Sequence, residues 1–94
     1  MSTPPPQPQR VLIAGGSRGI GLAIAQAFVR SGAKVSLCAR NPNGLADAAA
    51  QLAAHGAPVH TFACDLADAA QIERYVHAAA QALGGLDVVV NNAS

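Results

Sequence analysis

Several residue types that decide a protein's class are scarce in this sequence. There is no tryptophan, aromatic residues make up 3% of the chain, and charged residues make up 12%. No apolar run approaches the roughly 18 residues of a membrane-spanning helix, and the first residues lack the positive start and apolar core of a signal peptide. A net charge of +1 gives no reason to expect nucleic acid or an anionic membrane as a partner.

Cysteine and histidine are too few and too scattered to suggest a disulfide framework or a metal site. Cys38 and Cys64 are the only cysteines and have no C-x-x-C spacing, while His55, His60 and His77 lie in different segments. We predict two reduced, buried cysteines that behave as small hydrophobes in a cytoplasmic protein. The histidines are expected on the surface or in a satisfied core, so no residue is predicted to bind a metal.

Proline and apolar residues, in contrast, are plentiful. Residues 1–9 contain four prolines, which remove backbone donors and forbid a helix, so we predict a disordered, partly polyproline tail. A proline-rich ligand for another domain is the alternative interpretation of this tail. The hydrophobic fraction of 51% is ample for the core of one small domain, residues 10–94.

The stretch Val11–Gly21 organises the rest of the chain, since an apolar run, Val11–Ala14, stops at the turn GGSRGIG and a helical pattern follows directly. N–H groups at a helix N-terminus lack partners and carry partial positive charge, and glycine lets a phosphate approach the backbone closely. The order strand, turn, helix therefore predicts a phosphate site, although three glycines alone could also mark a plain turn. The cofactor-binding residues predicted in this turn are Gly15, Ser17, Arg18, Gly19, Ile20 and Gly21.

Alternating apolar segments predict four strands, at residues 11–14, 34–38, 59–63 and 86–90, with a helix after each of the first three. The first helix runs from about Ile20 to Ser31. Asn41 caps the second, which ends at Gly56, and Asp68 caps the third, with Gln71 in the capping-box position. This alternation predicts an α/β fold, a Rossmann-type parallel sheet with strand order 3-2-1-4 and helices on both faces.

Apolar residues at helical spacing predict the buried face of each helix. In the first helix these residues are Ile20, Ala23, Ile24, Ala27 and Phe28. In the second they are Leu45, Ala48, Ala49 and Leu52. In the third they are Ile72, Val76, Ala79, Ala80 and Leu83.

The glycine turn resembles the cofactor loop of the short-chain dehydrogenase/reductase family, usually written T-G-x-x-x-G-[IL]-G. Ala14 stands where that family usually has threonine, which removes a hydroxyl that braces the turn but none of the phosphate-facing backbone. The resemblance covers roughly Val11 to Ser94. It implies that this chain is the N-terminal half of such a protein, similar to 3-oxoacyl-carrier-protein reductases in particular.

Two further segments carry the resemblance. Asp65-Leu66 is similar to the family's Asp-[Leu/Val] pair, which implies that Asp65 hydrogen-bonds the adenine amino group. From the residues alone Asp65 could equally be an ordinary loop acid. A second segment, Asn91-Asn92-Ala93, resembles the family's Asn-Asn-Ala-Gly turn, which implies contact with the adenosine ribose and support of the central sheet. Ser94 replaces the glycine of that turn.

The end of the second strand separates NAD from NADP in dinucleotide enzymes, because an acid there binds the ribose 2′-hydroxyl and repels a 2′-phosphate. This chain has Ala39-Arg40 at that point, so an acid is absent and a guanidinium is present. Arg18 could reach the same phosphate from the glycine turn. We therefore expect NADP as the cofactor in preference to NAD. The alternative is that both arginines are solvated loop charges.

Members of the family transfer hydride between nicotinamide and a carbonyl or alcohol, using a serine, a tyrosine and a lysine four residues after the tyrosine. The only tyrosine here, Tyr75, is followed at that spacing by Ala79, and the only lysine, Lys34, begins the second strand. No residue is therefore predicted to be catalytic. We expect a cofactor-binding half-domain, truncated before the catalytic region and inactive alone, that would act on a small carbonyl or alcohol substrate only with the other half supplied.

Full-length relatives are expected to form homo-oligomers. A different interpretation is a non-enzymatic nucleotide-binding or interaction module. In that case the exposed edge of the fourth strand, Val88–Val90, would pair with a partner chain that completes the sheet.

Overall fold

A computed structural model describes residues 8–56 and 58–92. Most of the predicted tail, residues 1–7, therefore lies outside the described residues, as do Ala93 and Ser94. Pro8 and Gln9 precede the first strand without regular structure, and both are exposed. No described helix has the length and hydropathy that crossing a membrane would require.

Four strands and three helices alternate along the chain. The strands are β1 (Arg10–Ala14), β2 (Lys34–Ala39), β3 (His60–Ala63) and β4 (Val88–Asn91). The helices are α1 (Gly19–Arg30), α2 (Pro42–Ala53) and α3 (Ala69–Leu83). The predicted order of elements is confirmed, and the predicted strand ends differ from the observed ones by two residues or fewer.

The strands form one parallel sheet in the order β3-β2-β1-β4, as predicted. One face carries a core of β1 and β2 side chains packed with α1 and α2, including Ile13 and Leu37. The opposite face carries a second core, in which Leu12 and Cys38 pack with α3. Helices therefore cover both faces of a Rossmann-type sheet, because successive residues of each buried strand point to opposite sides.

The buried face of α1 differs from the prediction. The buried residues are Gly21, Ala25 and Val29, whereas Ile20 is 73% exposed and the predicted Ala23 and Ala27 are exposed as well. The predicted Ile24 and Phe28 are half-buried and pack against the core. The helical period was therefore right and the predicted face is shifted in rotation, because this helix is apolar on nearly every side. Its rotation is set instead by a close contact at Gly21, described below.

The buried faces of the other two helices follow the prediction more closely. Helix α2 buries Leu45, Ala48 and Leu52, and Asn41 caps it by accepting from the N–H groups of Asn43 and Gly44. Helix α3 buries Ala79 and Leu83 as predicted and Tyr75 in addition, while the predicted Val76 is 40% exposed. Tyr75, Ala79 and Leu83 repeat at a spacing of four, so they lie along one face of the helix.

An arginine fork closes the amino edge of the sheet. The guanidinium of Arg10 donates to both carboxylate oxygens of Asp87, from Nε and Nη2, at 2.9 Å each, and Nη1 donates to the Gly84 carbonyl at 2.6 Å. The Arg10 hydrogen bonds lower the pKa of Asp87 to about 2. This fork joins the start of β1 to the turn between α3 and β4, far from the edge that carries the predicted site.

Candidate cofactor-binding site

The predicted site residues lie along the carboxyl edge of the sheet. The glycine turn follows β1, Arg40 follows β2, Asp65 and Leu66 follow β3, and Asn92 follows β4. Parallel strands end at the same edge, so these four segments are neighbours. The strand order reverses between β1 and β4, which is the position at which open α/β sheets bind ligands.

The turn after β1 lies directly against β2. Gly15 has a φ of 84°, in the left-handed region, and its N–H donates to the Cys38 carbonyl at 2.9 Å. A Cβ on Gly16 would lie 2.6 Å from Cδ2 of Leu37, in the α1 and α2 core. The positive φ of Gly15 favours glycine, and a Cβ at Gly16 would require the Leu37 side chain to shift.

Gly21 brings helix α1 into contact with this turn. A Cβ there would collide with the Gly15 carbonyl oxygen and lie 2.7 Å from Nδ2 of Asn92. The Asn92 side chain donates from Nδ2 to the Gly15 carbonyl at 3.3 Å, and the Asn92 backbone N–H donates to the Ala14 carbonyl at 2.9 Å. The first helix, the turn and the end of β4 thus meet at one point, and this contact sets the rotation of α1.

The N-terminus of α1 is left open, unlike those of the other two helices. Arg18 precedes it in extended conformation without a side-chain capping bond, whereas Asn41 and Asp68 cap α2 and α3. The first backbone hydrogen bond of the helix runs from the Leu22 N–H to the Arg18 carbonyl, at 3.3 Å. Within the part of the chain that the structure describes, the preceding helical N–H groups, at residues 19–21, donate to nothing. They form a set of free donors where the helix dipole is positive.

Two arginines flank these donors. Arg18 lies in the turn and Arg40 lies one residue before the cap of α2, and both are exposed. The ion pair found among residues 8–56 and 58–92 joins Arg10 to Asp87. Neither Arg18 nor Arg40 has an ion-pair partner within these ranges. Ser17 of the turn lies near Gly44, since a Cβ on that glycine would be 3.7 Å from Ser17 Oγ. The turn therefore borders the first turn of α2, and Arg40 lies beside it.

The loop after β3 holds Asp65 in a defined position. The Asp65 N–H donates to Oε1 of Gln71 at 2.8 Å, and its Oδ1 accepts from the Ala67 N–H at 3.0 Å. Leu66, which is half-buried, packs against the core on the α3 side. The predicted pair Asp65-Leu66 thus lies at the carboxyl edge with one residue facing the core and a carboxylate at the surface.

The segment predicted to contact the ribose is described only in part. Asn91 is the last residue of β4, pairs in register with Ala14 and is exposed. Asn92 contacts the glycine turn as given above. Ala93 lies outside the described residues.

Both cysteines lie beneath this edge and are free and buried, as predicted. Desolvation raises the pKa of Cys38 to about 11 and also raises the pKa of Cys64. The thiolate forms are therefore disfavoured, and both residues act as core side chains. In the described ranges, no group of three or more His, Cys, Asp or Glu side chains comes together to hold a metal ion.

The structure contains a cluster of buried polar side chains that no sequence pattern predicts. Ser36 Oγ, fully buried in β2, lies 2.8 Å from Nδ1 of His60 and 2.8 Å from the hydroxyl of Tyr75. Burial raises the pKa of Tyr75 and lowers the pKa of His60. The spacing of Tyr75, Ala79 and Leu83 was the available signal for the tyrosine, but no pattern in the sequence pairs it with Ser36.

Comparison with known proteins gives consistent matches. The family model described as short chain dehydrogenase matches residues 9–94. The rhamnolipids biosynthesis 3-oxoacyl-[acyl-carrier-protein] reductase of Pseudomonas aeruginosa is 42% identical over 82 residues, which are 87% of this chain and 32% of that protein.

Solved structures give the same picture. A metagenomic short-chain oxidoreductase in complex with NADP superposes with a TM-score of 0.85 at 37% identity, over 92% of this chain and 39% of that one. An NADH-dependent reductase complexed with NAD superposes with a TM-score of 0.83 at 34% identity, over 94% of this chain and 37% of that one. The chain spans about a third of the length of the relatives that it matches.

Proposed function

The chain belongs to the short-chain dehydrogenase family, and we propose that it is the cofactor-binding part of an NADP(H)-dependent oxidoreductase. When bound, the nicotinamide cofactor would supply or accept a hydride, with a carbonyl or alcohol compound as the substrate. The observation that carries this proposal is the open N-terminus of α1, held against the glycine turn by the close contact at Gly21.

The residues present fit a dinucleotide. The free N–H groups at residues 19–21 would bind the phosphates, and the left-handed Gly15 and Gly19 keep Cβ atoms away from them. We assign the exposed Ile20 side chain to contact with the cofactor, which accounts for an apolar residue that is 73% exposed. Asp65 and the segment from Asn91 to Ala93 would bind the adenosine part.

Arg40 supports NADP over NAD. An acid at the end of β2 would accept from a ribose 2′-hydroxyl, whereas this chain presents a guanidinium without an ion-pair partner among the described residues. Arg18, on the neighbouring turn, would bind the same 2′-phosphate. Charge-assisted hydrogen bonds contribute about 1.5–3 kcal/mol each, so either arginine would give roughly a tenfold to hundredfold preference.

The test of this assignment is the charge reversal Arg40→Asp. Titration calorimetry with NADPH and NADH should show NADPH affinity falling by one or two powers of ten, with NADH affinity changing much less, because aspartate repels the 2′-phosphate but still accepts from a ribose hydroxyl. Arg30→Asp, the same change at the far end of α1, is the matched control. Equal losses for both cofactors would show that Arg40 supports the loop without reading the phosphate.

The substrate class and the inactivity of these 94 residues alone are further parts of the proposal. We propose a substrate of the 3-oxoacyl thioester class, supported by the similarity to a 3-oxoacyl-carrier-protein reductase. We further propose that these 94 residues alone are inactive, because Tyr75 is 1% exposed and bonded to Ser36 beneath the sheet. A cytoplasmic location agrees with two free, buried cysteines, and assembly into homo-oligomers belongs to the same proposal.

A second candidate function is an interaction module completed by a partner chain. The observation that favours it is β4, which pairs only with β1 among the described strands and exposes 65% of Val89. Size-exclusion chromatography with light scattering tests this candidate. A discrete, soluble oligomer that binds no dinucleotide would favour it over the cofactor-binding proposal.

A further inference from the structure

One side chain of α3 holds the loop that carries Asp65. Gln71 accepts at Oε1 from the Asp65 N–H at 2.8 Å and donates from Nε2 to Oδ2 of Asp68 at 3.1 Å. A backbone N–H requires an acceptor and a carboxylate requires a donor, so these partners permit one orientation of the amide. Gln71 therefore joins the two carboxylate residues of the loop in a fixed arrangement.

Helix capping does not account for this arrangement. In a capping box the side chain at this position accepts from the N–H of the capping residue, which here is Asp68. That N–H donates instead to the Asp65 carbonyl at 3.0 Å, and Asp68 Oδ1 already accepts from the N–H groups of Ala70 and Gln71. The bond from Gln71 Oε1 acts on a residue outside the helix, three positions before the cap.

The consequence concerns the carboxylate of Asp65. Its N–H is bound to Gln71, its carbonyl accepts from Asp68, and its Oδ1 accepts from the Ala67 N–H at 3.0 Å. Oδ2 accepts nothing from the residues that the structure describes. Both backbone groups and one side-chain oxygen are thus fixed, and a single acceptor is presented at the carboxyl edge of the sheet.

We propose that Gln71 is a positioning residue, which fixes Asp65 so that its Oδ2 accepts a hydrogen bond from the adenine amino group of the dinucleotide. This inference rests on the proposed function, since it needs the adenosine part to bind beside β3. The hydrogen bonds of Gln71 and Ala70 also lower the pKa of Asp68. The carboxylate that orients the Gln71 amide therefore stays ionised through the neutral range.

The experiment compares NADPH with its reduced deamino analogue, in which hypoxanthine puts a carbonyl oxygen where adenine has the amino group. Calorimetric titration of the unaltered chain should show NADPH binding about tenfold more tightly, as expected for one hydrogen bond to a charged acceptor. Gln71→Met keeps the length of the side chain without its amide and should reduce this preference to about twofold. Gln81→Met, at an exposed glutamine of the same helix, should leave it unchanged.

Each result separates this inference from the proposed function. If Gln71→Met keeps the full preference, or weakens both ligands equally, Gln71 is merely structural and the inference is overturned. If the unaltered chain binds both ligands equally, Asp65 does not read the amino group, and the inference fails while cofactor binding stands. If it binds neither ligand, the proposed function fails and the inference fails with it.

A second measurement does not depend on the folding of a variant. Amide hydrogen exchange in the unaltered chain should show protection of the Asp65 N–H, which is bound to Gln71, and no protection of the exposed Ala69 N–H at the start of α3. Rapid exchange at Asp65 would show that the bond to Gln71 is not maintained in solution, and it would overturn the inference.

Discussion

The buried cluster of Ser36, His60 and Tyr75 gives a quantitative prediction for stability. A serine hydroxyl has one proton, so Ser36 can donate to only one of its two partners, at 2.8 Å each. If Ser36 donates to a neutral His60, the tyrosine can donate to Ser36 and every buried proton is used. If instead His60 donated to Ser36 and Ser36 donated to Tyr75, the Tyr75 proton would have no acceptor among these three residues. We therefore infer a chain of donation from Tyr75 to Ser36 to His60.

The two single substitutions should then differ in cost. Tyr75→Phe removes one donor and leaves the bond from Ser36 to His60 intact, so we expect a loss of about 0.5–1.5 kcal/mol. Ser36→Ala deprives the buried Tyr75 hydroxyl of its acceptor and should cost about 1–3 kcal/mol, because that hydroxyl remains desolvated and unpaired. Removing both hydroxyls also breaks the bond from Ser36 to His60, but no unpaired tyrosine proton remains, so the double variant should lose about 1 kcal/mol less than the sum of the two single losses.

The assay is urea unfolding of the four proteins at neutral pH, followed by circular dichroism. The double-mutant cycle should give a coupling energy of about 1 kcal/mol, with the double variant more stable than the sum of the single losses predicts. Single losses that add to within about 0.3 kcal/mol would contradict the inferred polarity, because independent groups behave in that way.

Two further predictions follow from the same cluster. Desolvation lowers the pKa of His60 in the folded state, below the unfolded value of about 6.5. At a pH between these two pKa values the unfolded chain binds more protons than the folded chain. The free energy of unfolding therefore falls as the pH falls through this range. Urea unfolding across this pH range should show this decrease in stability in the unaltered chain and in His77→Asn, but not in His60→Asn. An equal decrease in His60→Asn would contradict the prediction. The purified chain should also oxidise no NADPH with 3-oxoacyl thioesters or ketones, and steady turnover that disappears in Tyr75→Phe would give this tyrosine a catalytic role.

The architecture could be predicted from sequence because local signals agreed with one another. Asn41 and Asp68 cap helices where the spacing placed them. Left-handed Gly32 and Gly84 follow α1 and α3 closely, as expected, whereas α2 ends at Ala53, three residues before the predicted Gly56. Continuous apolar runs marked strands that are covered on both faces. The rotation of α1 could not be obtained in this way, since Ile20 and Ala23 are as apolar as Ala25. It depends on the contact between Gly21 and the Gly15 carbonyl, which only the folded chain contains.

The site could be predicted as a set of segments but not as a set of contacts. The position of Arg40 after β2 and of Asp65 after β3 follows from the parallel topology. The bond between Gln71 and Asp65 does not, because the capping pattern directs the Gln71 side chain to a different N–H group. The fork of Arg10 on Asp87 likewise joins residues 77 positions apart without a local pattern. Polar contacts across the fold depend on side-chain geometry that periodicity does not contain.

The central claim is that the glycine turn and the open N-terminus of α1 bind a dinucleotide, and the pair Gly21→Ala and Gly44→Ala tests it most directly. A Cβ at Gly21 would collide with the Gly15 carbonyl, whereas one at Gly44 has ordinary contact distances of 3.7 Å or more. Calorimetric titration with NADPH should show binding by the unaltered chain and by Gly44→Ala, and a loss of tenfold or more in Gly21→Ala at a temperature where circular dichroism shows all three folded. Equal NADPH affinity in all three folded proteins, or no binding by the unaltered chain, would contradict the claim.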